Sequence, residues 1–308
     1  MLFRSLVTTE TGRREAALCP SVKELIYTDG QGDLQKSISD IQGLVSQGAD
    51  AVVVFPDASE AILPTLQEAY AAGVVTVPYR VYPGGEDGVD YTAYIALDAA
   101  NDGKTYCEWI KTARPDGGTV LVMSGPAGNS QGLDMSGELR SCLGAEGGKY
   151  EFIGEEPYEV TNWDPALAQE VLTAAVAKYG CIDAIAYDFG PALVGALPEF
   201  EKAGCPLPAL ATSDGNILAC YWQDQTDQGN TFDLMTVQTG NDHARTAIDY
   251  AVAVATGGEV PATPTHQHKM FENSLDPSMP VTCRPDLPDF AFLSAELVTA
   301  EDQATLLQ

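Results

Sequence analysis

Short apolar runs alternate along the chain with longer stretches in which apolar residues recur every three or four positions. Residues 51–55 read AVVVF, which predicts a strand buried on both faces, whereas residues 34–47 have the apolar spacing of a helix. The same patterns predict further strands over 22–28, 74–79, 94–97, 119–124, 150–154, 182–187, 209–212 and 234–238, and helices over 59–72, 100–112, 133–143, 165–179, 191–203 and 244–255. Repeated β-α-β units imply parallel strands with right-handed crossovers.

The number of predicted strands bears on the domain organisation. Roughly ten strands are too many for one comfortable sheet, and 308 residues suit two domains of about 150 residues each. We therefore predict an α/β protein with two doubly wound parallel-sheet lobes. In such sheets, ligands bind at the carboxyl ends of the strands.

The charge balance narrows the classes of partner. Asp and Glu number 44 against 16 Lys and Arg, which gives a net charge of −28. A surface this acidic repels phosphate backbones and anionic lipids, so neither nucleic acid nor a membrane surface is an expected partner. No stretch reaches the roughly 20 apolar residues of a membrane span, so no direct membrane insertion is expected either.

The seven cysteines form no C-x-x-C pair, which excludes the usual zinc and thioredoxin-like motifs. The apolar neighbour of Cys181 indicates a small core residue, whereas in an oxidising compartment Cys181 could pair with Cys205. The cysteines alone therefore leave the redox compartment open.

Polar and aromatic side chains follow the predicted strands in succession. They are Tyr79, Arg80, Asp98, Asn129, Asn162, Trp163, Asp164, Tyr187, Asp188, Asp214 and Gln238. Carboxylates accept hydrogen bonds from hydroxyls, arginine donates through a planar fork, and a ring covers the apolar face of a sugar. The set predicts a small polar ligand, most simply a sugar, although Asp98 and Asp164 could equally be helix N-caps.

Enzymatic motifs are missing from this pattern. The loop 125–128 follows a strand but has neither the G-x-x-x-x-G-K-[ST] nor the G-x-G-x-x-G spacing, and Ser124 lacks the G-x-S-x-G elbow. His266 and His268 form an H-x-H pair with no evident third ligand, so a hinge or surface role is favoured over a metal site. We expect no catalysis, no cofactor and no metal.

The order of several segments resembles the ribose-binding-protein-like group of periplasmic sugar-binding proteins of ABC transporters, which have the periplasmic binding protein type 1 fold. The stretches that carry the resemblance are DGQGDLQK at 29–36, GADAVVVFP at 48–56, YR at 79–80, YIALD at 94–98, DG at 214–215 and TVQ at 236–238. The resemblance covers about residues 20 to 295. Where the family has an Asp-Arg pair, this chain has Tyr79 before Arg80, and an expected arginine is replaced near Asp134.

The resemblance implies a hinge of three crossings, near Asp98, Gln238 and 266–269. It places lobe I at 1–97 plus 241–266 and lobe II at 98–240 plus 267–308. It also implies a periplasmic, monomeric binding component that captures a small sugar or polyol by hinge closure and delivers it to an ABC permease. Residues 1–6 resemble the family's first helix, so we expect the first strand of lobe I and any secretion signal to be absent, and Phe3 to be a stacking aromatic.

The predicted ligand contacts are Phe3, Tyr79, Arg80, Asp98, Asn129, Asp134, Trp163, Asp188, Asp214 and Gln238. Two other functions share this fold. A receptor component for a signal or quorum ligand is hard to separate from a nutrient carrier by sequence. A regulator of the lac-repressor type would need an N-terminal helix-turn-helix domain of about 60 residues, which does not precede Phe3.

Overall fold

The computed structural model describes residues 2–238, 242–295 and 298–306, within which strands and helices alternate along the chain. The strands are β1 Ala51–Val54, β2 Val75–Arg80, β3 Ile95–Ala96, β4 Gly118–Ser124, β5 Tyr150–Ile153, β6 Glu159–Val160, β7 Ala184–Tyr187, β8 Ala209–Ser213, β9 Leu234–Val237 and β10 Met270–Asn273. The helices are α1 Leu2–Leu18, α2 Leu34–Ser46, α3 Leu63–Ala71, α4 Ala99–Ala113, α5 Ser130–Gly144, α6 Pro165–Tyr179, α7 Pro198–Lys202, α8 Asn216–Asp227, α9 Asp242–Thr256 and α10 Ala300–Leu306.

The strands form two separate sheets, as the strand count predicts. The smaller sheet has the order β1-β2-β3 and is parallel throughout. The larger has the order β10-β9-β8-β7-β4-β5, with β6 pairing β4; β10 is antiparallel to β9 and the other pairs are parallel. We call each sheet with the helices packed on it a lobe, the first containing β1 and the second containing β4.

The central strands of the second lobe are buried on both faces. Strands β7, β8 and β9 have every residue buried, and their apolar side chains contribute to the two large core clusters on opposite faces of the sheet. This is the continuous apolar pattern expected of a parallel sheet covered by helices on both sides. No helix within the described residues is long and apolar enough to span a membrane.

The chain passes between the lobes at three places. It passes from β3 to α4, from β9 to α9, which packs against β1 and β2, and from α9 to β10. The first and third connections are joined where the Asp98 N–H donates to the His266 carbonyl at 2.8 Å, and the second meets the third where the Gln238 N–H donates to the Lys269 carbonyl at 2.9 Å. These positions coincide with the predicted crossings; the exact lobe boundaries stay a prediction.

The strand predicted over 22–28 is wrong. Residues 23–28 lie in no described strand, and the side chains of Leu25, Ile26 and Tyr27 are 45%, 46% and 47% exposed. A segment rich in β-branched and aromatic residues forms a strand only where a neighbouring strand completes its backbone hydrogen bonds. In the described sheet β1 pairs with β2 alone, so residues 22–28 do not pair with β1 as its outer neighbour. The β-branched and aromatic composition therefore gave a false indication here.

Elsewhere the differences are local. The helix predicted over 191–203 is divided into a 3-10 turn at Gly190–Leu193 and the short α7, each with a proline in its first turn. The short strands β6 and β10 and the helices α8 and α10 were not predicted. Helix α1 begins at Leu2, in agreement with the helix expected at the N-terminus of the chain.

Three disulfides link segments of the second lobe. They join Cys107 to Cys142, Cys181 to Cys205 and Cys220 to Cys283, and Cys19 is the free thiol among the described residues. The pairing of Cys181 with Cys205 is the one named from the sequence, so the interpretation of Cys181 as a core thiol is wrong. The bond between Cys220 and Cys283 fastens the C-terminal segment to α8.

Removing the Cys220–Cys283 bond by a double Ser substitution should lower the free energy of unfolding by about 4 kcal/mol, because it closes a loop of 63 residues. The matched removal of Cys181–Cys205, which closes only 24 residues, should cost about 1 kcal/mol less. Urea unfolding of the two double variants measures both values. Equal stability of the Cys220/Cys283 variant and the parent would contradict the expectation.

Candidate functional site

Asp188 lies at the centre of a buried polar network beyond the end of β7. Its Oδ1 accepts a hydrogen bond from Trp163 Nε1 at 2.9 Å, and its Oδ2 accepts from Ser124 Oγ at 3.0 Å and Gln131 Nε2 at 2.9 Å. Ser124 ends β4, the strand next to β7, so the parallel register brings the two residues to the same edge of the sheet. A carboxylate held by such donors is fixed in position, and carboxylate oxygens accept hydrogen bonds from hydroxyls.

Gln131 connects this network to the first lobe. Its Oε1 accepts from Arg80 Nε at 2.9 Å while its Nε2 donates to Asp188. The two partners fix the orientation of the amide, since a guanidinium needs an acceptor and a carboxylate needs a donor. Gln131 therefore links the positive group that ends β2 to the negative group that follows β7.

Arg80 is buried and its backbone has a φ of +67°. A non-glycine residue rarely adopts this left-handed conformation, and such residues cluster at binding sites. The conformation ends β2 and coincides with a turn, in which the Val81 N–H donates to the Tyr79 carbonyl. It directs the guanidinium across to the second lobe rather than along the sheet.

Trp163 is held over the end of β4 by its local backbone. Asn162 and Trp163 have φ values of +51° and +52°, and Thr161 Oγ1 accepts from the Trp163 N–H at 3.2 Å. The Thr161 hydroxyl is itself bonded to the Ser124 carbonyl and to the Tyr187 hydroxyl. The indole covers Gly125 so closely that a Cβ there would lie 2.4 Å from the ring, so glycine is needed at that position.

Three aromatic rings lie beside the network. The Phe55 ring, which follows β1, has its centroid 5.7 Å from that of Tyr79 and 6.2 Å from that of Trp163. Phe55 thus contacts rings of both lobes. Burial raises the pKa of the Tyr79 hydroxyl, so it remains a neutral donor and acceptor at physiological pH.

Asp57 adds a second carboxyl group from the first lobe. Burial, assisted by the charge of Asp29, raises its pKa to about 6. Its Oδ1 is buried and has no hydrogen-bond partner among the residues that the structure describes. A buried polar atom without a partner carries a desolvation cost, which a bound hydroxyl would offset.

The N-terminal end of α5 contacts the first lobe at several points. Asn129 Nδ2 donates to the Asp57 carbonyl at 3.0 Å, and the Ser130 N–H donates to Ser59 Oγ at 3.1 Å. Ser130 Oγ accepts from the Tyr82 N–H at 2.8 Å. With the Arg80–Gln131 bond, these contacts span the cleft and hold the two lobes together in this structure.

The structure therefore gathers five of the ten predicted site residues: Tyr79, Arg80, Asn129, Trp163 and Asp188. Asp134 lies on α5 three residues after Gln131, and the negative charge of Asp98, after burial, contributes to its raised pKa. Its charge in turn contributes to the raised pKa of Tyr94, whose hydroxyl donates to the Arg80 carbonyl at 2.8 Å. Asp98 is the N-cap of α4, accepting from the Asn101 N–H, and it also accepts from Gln267 Nε2. The N-cap alternative thus holds for Asp98, and for Asp164 on α6.

The remaining three predicted residues are placed differently. Both carboxylate oxygens of Asp214 accept from Ser294, one from its N–H and one from its hydroxyl. Gln238 follows β9 at the crossing to the first lobe. Phe3 lies within α1, and its side chain is outside the described part of the chain.

Phe55, Asp57, Ser124 and Gln131 were not predicted. The segment 55–57 directly follows β1 and satisfies the same strand-end rule that found the others. Ser124 is the last residue of β4 and was considered only as a nucleophile. Gln131 lies inside a helix, so no strand-end signal could have found it.

The described residues offer no preformed metal site at this cleft. The one group with the spacing of metal ligands is Cys107, Glu108 and Cys142, and its two thiols are joined in a disulfide.

Comparison with curated proteins finds several sugar-binding and polyol-binding relatives. The chain is 20% identical over 247 residues to the xylitol-binding protein of Mycolicibacterium smegmatis, covering 79% of this chain and 67% of the relative. It is 22% identical over 183 residues to the D-xylose-binding periplasmic protein of Escherichia coli, covering 59% and 54% respectively. The chain thus spans between about half and two thirds of the length of these relatives.

Comparison with solved structures identifies the fold. A Caulobacter myo-inositol binding protein bound to myo-inositol superposes with a TM-score of 0.73 at 19% identity, covering 87% of this chain and 88% of the other. A galactofuranose binding protein gives 0.73 at 16% identity, covering 88% and 90%. Identities this low establish the shared fold and leave the ligand to be argued from the site.

The sequence profile of one family spans most of the chain. The family described as "Periplasmic binding protein domain" matches residues 7–259, which include both sheets except β10. The relatives of the chain named above are binding proteins, in agreement with the prediction that the chain is not an enzyme. By this match, the chain belongs to the periplasmic binding protein domain family.

Proposed function

We propose that the chain is the substrate-binding component of an ABC importer and captures a small neutral sugar or polyol between its lobes. The observation that carries the proposal is the Arg80–Gln131–Asp188 network, which spans the cleft beside three aromatic rings. The sugar-binding and polyol-binding relatives support the same ligand class.

The chemistry of the site suits several adjacent hydroxyls. Asp188 and Asp57 accept hydrogen bonds from hydroxyls, Arg80 donates to their lone pairs, and the amide of Gln131 can do both. The indole of Trp163 and the ring of Phe55 cover an apolar C–H face. Because the polar groups are buried, an analogue that lacks a hydroxyl leaves one of them without a partner, which gives specificity.

The other five predicted residues are also proposed as ligand contacts, but fewer observations support them. Asp98, Asp214 and Gln238 have partners outside the network described above. Asp134 is supported by its position on α5 near Gln131, and Phe3 remains an expectation from the resemblance. We therefore assign the ligand contacts first to Tyr79, Arg80, Asn129, Trp163 and Asp188, with Phe55, Asp57 and Gln131 added.

Hinge closure would supply the binding mechanism. The lobes, at 1–97 plus 241–266 and 98–240 plus 267–308, would rotate about the three connections and enclose the ligand, after which the closed face would dock on the permease. The bonds of Asn129 and Ser130 to the first lobe would form only on closure. A monomer in the periplasm fits this role, and the three disulfides suit an oxidising compartment.

Isothermal calorimetry against a panel of pentoses, hexoses and polyols, including xylitol, D-xylose, D-ribose and myo-inositol, tests the proposal. We expect at least one neutral member to bind with a micromolar or lower Kd and sugar phosphates to bind far more weakly, because phosphate would meet Asp57 and Asp188. The proposal is wrong if every neutral member binds more weakly than millimolar in protein that is shown to be folded.

A further inference from the structure

All three histidines of the chain lie together where the lobes are joined. His243 is the second residue of α9, while His266 and His268 lie on the connection from α9 to β10. The His243 ring centroid is 4.6 Å from that of His266 and 5.9 Å from that of His268. Asp102, in the first turn of α4, completes the group, because its Oδ2 lies 2.8 Å from His268 Nδ1.

The group connects all three passages between the lobes. Asp102 follows the first connection, His243 ends the second, and His266 and His268 belong to the third. His243 and His268 are 2% and 6% exposed, so an imidazolium there would be poorly hydrated. We call Asp102, His243, His266 and His268 the hinge histidine cluster.

The cluster is not arranged as a ligand set for one ion. Its imidazole and carboxylate atoms do not converge to coordination spacing, which the described residues show only at Cys107, Glu108 and Cys142. The Nε2 atoms of His266 and His268 are buried without a hydrogen-bond partner among the described residues, so a proton added to either would gain no acceptor there.

We infer that the hinge histidine cluster makes the opening of the two lobes sensitive to pH. Neutral imidazoles pack against each other and hold the three connections in the closed arrangement. Protonation places like charges on rings only 4.6 Å apart, and these repel in a site that hydrates them poorly. The connections then separate, and the lobes move toward an open arrangement in which water reaches the rings.

The surrounding charges do not cancel this effect. Around the three rings lie Asp102 and the nearby Asp98 from the α4 side, Asp242 and Arg245 from α9, and the exposed Lys269 beyond His268. Asp249 of α9 and Glu15 of α1 lie beside Arg245. Asp102 can stabilise a charge on His268. For His266, burial outweighs the attraction of Asp242, and His268 and Arg245 add repulsion, so the pKa of His266 is lowered.

The sign of the pH effect follows from the lowered pKa of His266. A base whose pKa is lower in the closed arrangement than in the open one leaves the closed arrangement fully stable above the ordinary pKa of about 6.5. Stability of the closed arrangement relative to the open one is then lost as pH falls through the depressed pKa. Burial raises the pKa of Asp57 to about 6 and of Glu272 to about 7, and these groups act in the opposite direction. The diagnostic quantity is therefore the difference between the parent protein and a histidine variant.

Small-angle X-ray scattering of the ligand-free protein at pH 7.5 and 5.5 measures lobe opening directly. We expect the radius of gyration of the parent to increase at pH 5.5, with about a tenfold change in the ratio of open to closed molecules for each unit by which the imidazole pKa differs between the two states. His266→Gln, which keeps a polar group and removes the charge, should lose most of this response. Thr265→Ala, an exposed change on the same connection, should retain it.

Imidazole proton resonances supply a second measurement that needs no folded variant. The chain contains only three histidines, so each resonance can be followed through its own titration. We expect coupled titrations with at least one pKa well below 6.5. Independent titration of all three at the ordinary value would overturn the inference, as would an equal scattering response in the parent and His266→Gln. Neither measurement uses a sugar, so its outcome is separate from that of the proposed function.

Discussion

Replacing Asp188 with asparagine should weaken sugar binding by about a hundredfold. The carboxylate accepts from Trp163 Nε1, Ser124 Oγ and Gln131 Nε2, and asparagine offers only one acceptor oxygen for these three donors. Its amide nitrogen must face either the indole N–H or the Gln131 amide, and in both cases two donors meet. Hydrogen bonds to a charged group contribute about 1.5–3 kcal/mol each, so replacing the carboxylate with a neutral, misoriented amide at the proposed ligand contact gives an affinity loss of about 3 kcal/mol.

The charge balance of the cleft adds to this effect. Arg80 is connected to Asp188 through Gln131, so Asp188→Asn also removes the negative charge to which this network links the buried guanidinium. Calorimetry with the best ligand of the panel measures the loss. Asp227→Asn, the same change at the exposed C-terminal end of α8, is the matched control and should leave the Kd unchanged. An Asp188→Asn protein that binds within threefold of the parent would remove Asp188 from the ligand site.

The part of the site that could be predicted from sequence is the part that follows directly from strand topology. Arg80, Trp163 and Asp188 were selected because a parallel sheet brings the carboxyl ends of its strands to one edge. The same rule also selected Asp98 and Asp214. In the structure Asp98 caps the N-terminus of α4, and Asp214 accepts hydrogen bonds from Ser294. Strand position alone does not show whether a polar side chain faces the cleft or satisfies a neighbouring backbone.

Gln131 illustrates the limit of this reasoning. It is part of α5, and its role depends on the packing of that helix against β2 of the other lobe. Such contacts link residues that are 51 positions apart and leave no periodic trace in the sequence. The same limit explains the error at 22–28, because a strand needs a partner and composition cannot supply one.

Replacing Trp163 with alanine should lower both stability and affinity. The indole is 4% exposed and packs in the main core cluster of the second lobe, so its removal should cost about 3–5 kcal/mol in the free energy of unfolding. In the molecules that remain folded, the loss of the ring that we propose to cover the ligand, and of the Nε1 bond to Asp188, should weaken binding by about 1–3 kcal/mol. Urea unfolding and calorimetry measure the two quantities separately.

Trp163→Phe separates the ring from its N–H group. It keeps an aromatic surface beside Gly125 and Phe55 but leaves Asp188 Oδ1 without its indole donor. Its matched control is Trp222→Phe, which removes a similar bond, from Nε1 to the Phe232 carbonyl at 2.8 Å, at a position outside the cleft network. Both changes should lower stability, but only Trp163→Phe should lower affinity, because of the two hydrogen-bond acceptors, Asp188 and the Phe232 carbonyl, only Asp188 is proposed to contact the ligand. Equal affinities of the two variants would show that the Nε1 bond to Asp188 makes no contribution to ligand binding.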